Sequence, residues 1–255
     1  MRFFKFISKN DLFKIASLNG LSIALKISIG LVTSKVIAVF VGPSGLALVG
    51  NFKNFVASIE TIATLGFQNG IVKYVAENEN EESKLKKTLS TLFFSITIVA
   101  ICLSLILFFL ADFWSSAIFG NNFHYNLIFK AFAVALPWWA NSSLMISIIN
   151  GLGKSKKVIL ITIIGNIIGL FVSLILVINF QTFGALLGII TTPSMLFFVA
   201  IYFLNKDLKF FEFIKWKDFD FLILKNLFSF SLMALVSAVL GPLVYLKIRT
   251  LVIAK

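Results

Sequence analysis

LSTLFFSITIVAICLSLILFFLA, residues 89–111, runs for 23 positions without a charged side chain. About 20 apolar residues in a helix are enough to cross the ~30 Å hydrocarbon core of a bilayer. Such a stretch must be helical inside lipid, because the hydrocarbon offers no hydrogen-bond partner to an unpaired backbone group. The stretch therefore predicts a transmembrane helix.

The rest of the chain repeats this pattern. Of the 255 residues 59% are hydrophobic and only 13% are charged, and the mean hydropathy is +0.98, which excludes a soluble globular class. Turn residues separate six further apolar runs: residues 16–41, 46–75, 126–150, 158–179, 183–204 and 226–252. These observations predict an all-α integral membrane protein with a polytopic helix bundle.

The distribution of basic residues predicts the orientation of the chain. Fifteen of the 23 Lys and Arg residues lie in the amino-terminal segment and in alternate connectors. The basic connectors are 84–87, 154–157 and 206–225, and the connectors without Lys or Arg are 42–45, 112–125 and 180–182. The positive-inside rule therefore places the amino terminus in the cytoplasm, with the chain crossing a bacterial inner membrane several times. The same rule explains the net charge of +12 without a nucleic-acid partner.

Three lysines and one glutamate lie inside the first two predicted spans. Lys35 and Lys53 are seven or eight residues from the turn at 42–45, or ~11 Å at 1.5 Å per residue, and Lys26 and Glu60 are ~23 Å from it. A charge near the bilayer centre costs at least ~2.5–3.5 kcal/mol. We therefore expect these side chains to face protein or water.

The pairing of these charges leaves alternatives open. Lys26 and Glu60 share a depth, so they predict a buried ion pair that is either structural or involved in proton coupling. Lys35 and Lys53 share both a depth and a sign, which favours a site for an anion. In a straight helix at 100° per residue Lys26 and Lys35 lie on opposite sides, although Gly30 between them permits a bend. Lys247 and Arg249 add to the basic excess in the last span.

Three motifs near the first turn resemble one family. They are KVIAVFVGPSGLAL at 35–48, NFK at 51–53 and NGIVKYVAE at 69–77. Together they resemble the O-antigen and enterobacterial common antigen (lipid III) flippases of the multidrug/oligosaccharidyl-lipid/polysaccharide exporter superfamily. The resemblance is dense over residues 26–77 and rests mainly on hydropathy elsewhere.

The resemblance implies two six-helix lobes around a central cationic cavity that opens alternately to each side of the membrane. Its substrate would be an anionic undecaprenyl-pyrophosphate-linked oligosaccharide, such as an O-antigen unit, moved from the cytoplasmic to the periplasmic leaflet. The residues that match basic or polar family positions are Lys26, Lys35, Lys53, Lys73, Asn51 and Asn69. Lys73 also lies near a predicted helix end, where it could simply extend to the membrane surface. Glu60 departs from the family pattern.

The family also suggests a division of the chain. A shift of 212 positions lays Ser17 on Ser229 and Lys35 on Lys247, so the last span resembles the start of a second repeat. We expect a six-helix lobe at 1–205, a cytoplasmic linker at 206–225 and, at 226–255, the first helix of a second lobe. The chain is then expected to be a truncated version of a longer protein.

Three rival functions remain. A drug or other small-molecule exporter of the same superfamily would be expected to use acidic residues for cationic substrates. A membrane glycosyltransferase or polymerase would need a catalytic constellation, and the connector 112–125 offers only Asp112 and His124. A non-transporting membrane scaffold is the third. We expect no enzyme, catalytic residue, cofactor or metal, and as partners membrane lipids and other polysaccharide-assembly proteins.

Overall fold

The computed structural model describes residues 9–120 and 125–229, together with 231, 232, 236, 240 and 241. This part of the chain is helical apart from short turns and contains no strand, which confirms the predicted all-α class. The helices are α1 (Lys9–Ala63), α2 (Gln68–Asn78), α3 (Glu82–Phe109), α4 (Ala111–Phe119), α5 (Asn126–Gly151), α6 (Ser155–Leu208) and α7 (Phe210–Phe213). A 3-10 turn at Trp216–Asp218 and a helical segment at 221–229 follow.

α1 and α6 each consist of two arms that meet at a sharp break. The break in α1 is at Gly42, with φ 75°, and the break in α6 is at Gln181, with φ 47°. With 55 and 54 residues, each helix has ~80 Å of length at 1.5 Å per residue, enough to cross the ~30 Å hydrocarbon core twice. α3 and α5 are also long and apolar enough to span a membrane, so the described helices have the length and composition for six crossings.

The ends of the bundle agree with the predicted topology. A Cβ atom at Gly45 would lie 3.2 Å from the hydroxyl oxygen of Thr182, so the two breaks meet at one end. At the other end a Cβ at Gly151 would lie 3.0 Å from the carbonyl oxygen of Val72. The second end carries the basic connectors 84–87, 154–157 and 206–225, and we call it the lysine-rich end.

Two sequence predictions are wrong in detail. The predicted span 46–75 is interrupted after Ala63, because Leu65 and Gly66 have positive φ angles of 54° and 62°. The connector 112–125, for which no helix was predicted, contains most of helix α4, which buries Ala111, Ser115 and Phe119 on one face. Spacings of four residues bring these three side chains onto one side of a helix, a pattern hidden because Phe113, Trp114 and Ile118 between them are apolar too.

Hydrogen bonds between helices compensate for a proline in α5. Pro137 has no N–H to donate to the carbonyl of Ala133, four residues earlier. The hydroxyl of Ser104 on α3 donates to that carbonyl instead. The hydroxyl of Thr97 on α3 also donates to Asn141 Oδ1 at 3.2 Å. Because unpaired backbone groups are costly in lipid, these bonds tie α3 to α5.

The segment expected to be a linker, 206–225, packs against the first turns of α3. The Ser90 hydroxyl donates to the carbonyl of Phe213 at 3.2 Å, and the backbone N–H of Asp220 donates to the Thr91 hydroxyl at 2.9 Å. The rings of Phe94 and Trp216 are 4.5 Å apart. This segment is therefore ordered against the lobe. Most of the expected second-lobe helix lies outside the described residues.

Candidate substrate-facing surface

Aromatic packing sets the rotation of the second arm of α1, residues 43–63. Phe52 is fully buried, and its ring lies 5.7 Å from that of Phe129 and 6.2 Å from that of Phe132, both on α5. Val49 and Val56, one turn on either side of Phe52, are buried as well. The arm therefore turns one apolar face to the core of the lobe and its opposite face away from it.

The outward face of this arm carries polar side chains, which we call the polar stripe: Lys53, Asn54, Ser58 and Thr61. Lys53 and Asn54 are exposed, and Ser58 and Thr61 are half-buried. Residues 54, 58 and 61 follow the spacing that places side chains above one another on a helix. The hydroxyls of Ser58 and Thr61 donate to the carbonyls of Asn54 and Ala57, at 3.0 and 2.9 Å.

Polar contacts continue from the stripe to α2 and α5. Glu60 is half-buried, and its carboxylate faces the indole N–H of Trp139 on α5. The amide nitrogen of Gln68 at the start of α2 donates to the hydroxyl of Ser143 at 3.1 Å. Because Trp139 and Ser143 are one turn apart on α5, the two contacts lie on the same face of that helix.

Lys26 and Lys35 lie on the first arm of α1 and are exposed. The buried positions of this arm, within its described side chains, are Ser22 and Ile37. Among the described ion pairs none joins Lys26 to Glu60, whose carboxylate faces Trp139 instead. The expected ion pair is thus absent from this arrangement of the lobe, and the cavity role of the lysines stays a prediction.

The other predicted site residues are spread over α1 and α2. Asn51 is half-buried beside the stripe, and Asn69 is exposed at the start of α2. The ammonium of Lys73 lies 3.9 Å from a carboxylate oxygen of Glu77, an i,i+4 pair on the helix surface. Lys247 and Arg249 lie outside the described residues.

The sequence interpretation missed the neutral members of this surface. Asn54, Ser58 and Thr61 recur at i, i+4 and i+7, opposite the apolar positions 49, 52 and 56, and this spacing was available from the sequence. Trp139 gave no such signal, because its contact with Glu60 depends on how α1 packs on α5.

This surface combines one ammonium group with amide and hydroxyl groups. Such a set can attract an anion through charge and can hydrogen-bond a hydroxyl-rich molecule. Over the described residues, no group of three or more His, Cys, Asp or Glu side chains is close enough to hold a metal ion.

Comparison with known proteins identifies the family. A family described as polysaccharide biosynthesis protein matches residues 13–255. The chain belongs to this family. The lipid III flippases of Escherichia coli (strain K12) and of Shigella flexneri are each 27% identical to the chain over 235 residues. The match covers 92% of this chain and 56% of each flippase, so the chain spans about half the length of these curated relatives.

Solved structures show the same fold. A crystal structure of MATE in the straight conformation matches with a TM-score of 0.62 at 16% identity, covering 88% of this chain and 53% of the MATE chain. The bent form of the Vibrio cholerae MATE transporter VcmN matches with a TM-score of 0.58 at 14% identity, covering 94% of this chain and 58% of that one. This member of the polysaccharide biosynthesis protein family is therefore a polytopic membrane protein with a MATE-like helical lobe.

Proposed function

We propose that this chain forms the amino-terminal lobe of a flippase for an undecaprenyl-pyrophosphate-linked oligosaccharide. The flippase would move its substrate from the cytoplasmic to the periplasmic leaflet of a bacterial inner membrane by alternating access through a cationic cavity. The observation that carries the proposal is the polar stripe: three hydrogen-bonding side chains lie on the face of α1 opposite the core, and Lys53 is exposed beside that face. The similarity to lipid III flippases supports the same substrate class.

The environment of the stripe explains why it favours a water-filled cavity. An exposed lysine in a membrane span costs least where water or an oppositely charged ligand can reach it. Lys35 on the first arm is exposed as well; it lies seven residues before the Gly42 break and Lys53 lies eleven residues after it, so their depths differ by about one helical turn. Two ammonium groups on long side chains at neighbouring depths would bind a pyrophosphate between them, with residues 54, 58 and 61 placed to hydrogen-bond sugar hydroxyls.

Lysine is suited to a substrate that must be released. A pyrophosphate in hydrocarbon would lose its hydration at great cost, and fixed ammonium groups in a wet cavity offset that loss. An ammonium group binds phosphate as a mobile point charge, whereas an arginine fork binds it through two fixed hydrogen bonds. In this proposal the polyprenyl chain stays in the lipid while the sugar and pyrophosphate cross beside α1. Lys26, Lys73, Asn51, Asn69, Lys247 and Arg249 are further candidates for the same cavity.

A translocation assay tests the proposal. Vesicles containing the full-length flippase and a fluorescent lipid-linked oligosaccharide would report transfer of the sugar to the opposite leaflet. Lys53→Gln should lower the initial rate roughly 10- to 100-fold, as expected for the loss of a hydrogen bond from a charged group worth about 1.5–3 kcal/mol. The control is Lys217→Gln, which removes an exposed lysine from the linker. Equal rates for both variants would contradict the proposal.

A second candidate is an exporter of cationic small molecules. Glu60 favours it, because a half-buried carboxylate beside the stripe could bind a cation or carry a proton. Efflux of a cationic dye from cells that express the protein would distinguish the two functions. Dye efflux that is abolished by Glu60→Gln and unaffected by Lys53→Gln would favour the exporter.

A further inference from the structure

A cleft opens at the lysine-rich end of the lobe. Its volume is about 620 Å³. The lining residues are Ile201, Tyr202, Asn205 and Lys206 of α6 and Phe211 of α7. The first four follow an i, i+1, i+4, i+5 spacing, so one face of the last turns of α6 forms one wall. The chain reverses at Lys209, with φ 45°, and brings Phe211 to the other wall.

The cleft lies at the level of the lipid headgroups. Residues 182–206 form 25 positions of the second arm of α6, or ~37 Å at 1.5 Å per residue, measured from the break at Gln181. The hydrocarbon core takes up ~30 Å of that length. Tyr202 and Phe211 are 64% and 59% exposed, and tyrosine is one of the two residue types enriched at membrane–water interfaces.

The charges around the cleft favour an anion. Lys206 is the one charged residue among those that line it, and it is exposed. Two acidic residues neighbour the lining residues along the chain: Asp207, whose side chain lies outside the described part, and Glu212, which is occupied by an ion pair with Lys209 at 3.4 Å. The amide of Asn205 and the hydroxyl of Tyr202 add hydrogen-bond donors beside the ammonium group.

We propose that this cleft binds the headgroup phosphate of an anionic membrane lipid. Lys206, Asn205 and Tyr202 contact the phosphate, and the first part of an acyl chain lies along Ile201 and Phe211. A free phosphate ion would use the same polar groups but would leave the two apolar side chains in contact with water. The lipid therefore accounts for both kinds of lining residue, and it would hold α7 and the ordered linker at the membrane surface.

Native mass spectrometry of the purified protein in detergent tests this site. Titration with phosphatidylglycerol should give saturable binding that phosphatidylcholine does not reproduce. Lys206→Gln should weaken the binding about tenfold, corresponding to the loss of one charge-assisted contact at a partly exposed site. Lys225→Gln is the matched control, because Lys225 is also an exposed lysine at this end and does not line the cleft.

Further arms keep the proposal falsifiable. Asn205→Asp should weaken phosphatidylglycerol binding by at least as much as Lys206→Gln, because it adds a negative charge at an exposed, readily tolerated position. Glycerol phosphate without acyl chains should not displace the lipid at equal concentration. Displacement by glycerol phosphate would show a free-anion site, and binding equal to the parent protein in both variants would show that the lipid binds elsewhere. Either result would overturn the proposal.

Discussion

α5 and α1 cross the same membrane in opposite surroundings. Over its most apolar 18 residues, 61% of α5 is buried. The corresponding fraction for the segment that contains α1, residues 15–78, is 6%. Phe129 and Phe132 of α5 are fully buried, whereas Leu31 and Val39 on the first arm of α1 are 68% and 71% exposed. α5 lies at the centre of the lobe, whereas most of the surface of the first arm of α1 is not covered by this lobe.

The difference teaches that apolarity does not predict burial in a bilayer. Among the four long helices, α1, α3, α5 and α6, α5 has the least apolar membrane-spanning stretch and the most buried one. Lipid solvates leucine about as well as protein does, so polar side chains are the ones that turn inward, as Asn141 and Ser142 of α5 do. A helix as exposed as the first arm of α1 has room for lipid on one side and a partner lobe on another, which the proposed flippase requires.

The largest expected effect comes from cutting the contact between α1 and α5. Phe52→Ala should destabilise the lobe by about 3–5 kcal/mol, because a fully buried ring in contact with several others is removed. Leu31→Ala is the control on the same helix and should cost much less. Denaturant titration in detergent micelles would measure both. Equal losses for the two variants would break the comparison between the packed and unpacked parts of α1.

A smaller effect is expected where α3 compensates for Pro137. Ser104→Ala leaves the carbonyl of Ala133 without its donor, at a cost of about 1–3 kcal/mol for an unsatisfied buried group. In a Pro137→Ala background the backbone N–H of residue 137 could bond that carbonyl, so Ser104→Ala should then cost little. The same denaturant titration gives the two values. A cost that persists without the proline would refute this explanation of the hydrogen bond.

A third prediction concerns what surrounds α1 and affects labelling only. In a Cys102→Ser background, cysteines at positions 35 and 53 should react with a water-soluble thiol reagent much faster than a cysteine at Ile98, an exposed apolar position of α3. The reason is that the lysines they replace are expected to face water, whereas Ile98 faces lipid. Comparable labelling at all three positions would show that α1 has no aqueous side.

The sequence predicted the crossings better than it predicted their surroundings. Apolar runs bounded by turns placed the breaks near 42 and 181, because membrane thickness limits the length of each crossing. It failed at Leu65 and within α4, since a local reversal and a short amphipathic helix leave no long apolar run to recognise. The sequence also singled out Lys53 as a charged residue within a predicted span, and its role there stays a prediction. It could not show that Phe52, one residue earlier, fixes the direction in which Lys53 points.

Glu60 shows the same limit. Equal distance from the turn predicted a pair with Lys26, yet depth along a helix says nothing about rotation around it. In the structure the carboxylate of Glu60 meets Trp139 on α5, and Lys26 is exposed on the first arm. The contact that matters is thus between the two helices that differ most in burial.

The smallest expected effect on stability follows from that contact. Glu60→Gln keeps an oxygen that can accept the indole hydrogen bond of Trp139, so the free energy of unfolding should change by less than about 1 kcal/mol. If Glu60 were instead paired with Lys26, the substitution would leave a buried ammonium uncompensated, and Lys26→Met would restore the loss. Denaturant titration of the two single variants and the double variant separates these cases. A rescue by Lys26→Met would show that the pair forms in another conformation of the flippase.

Where stability is unchanged, transport with and without a proton gradient decides the remaining role of Glu60. If the carboxylate carries a proton, transport in Glu60→Gln becomes independent of the gradient. If the carboxylate only contacts Trp139, the dependence on the gradient stays intact.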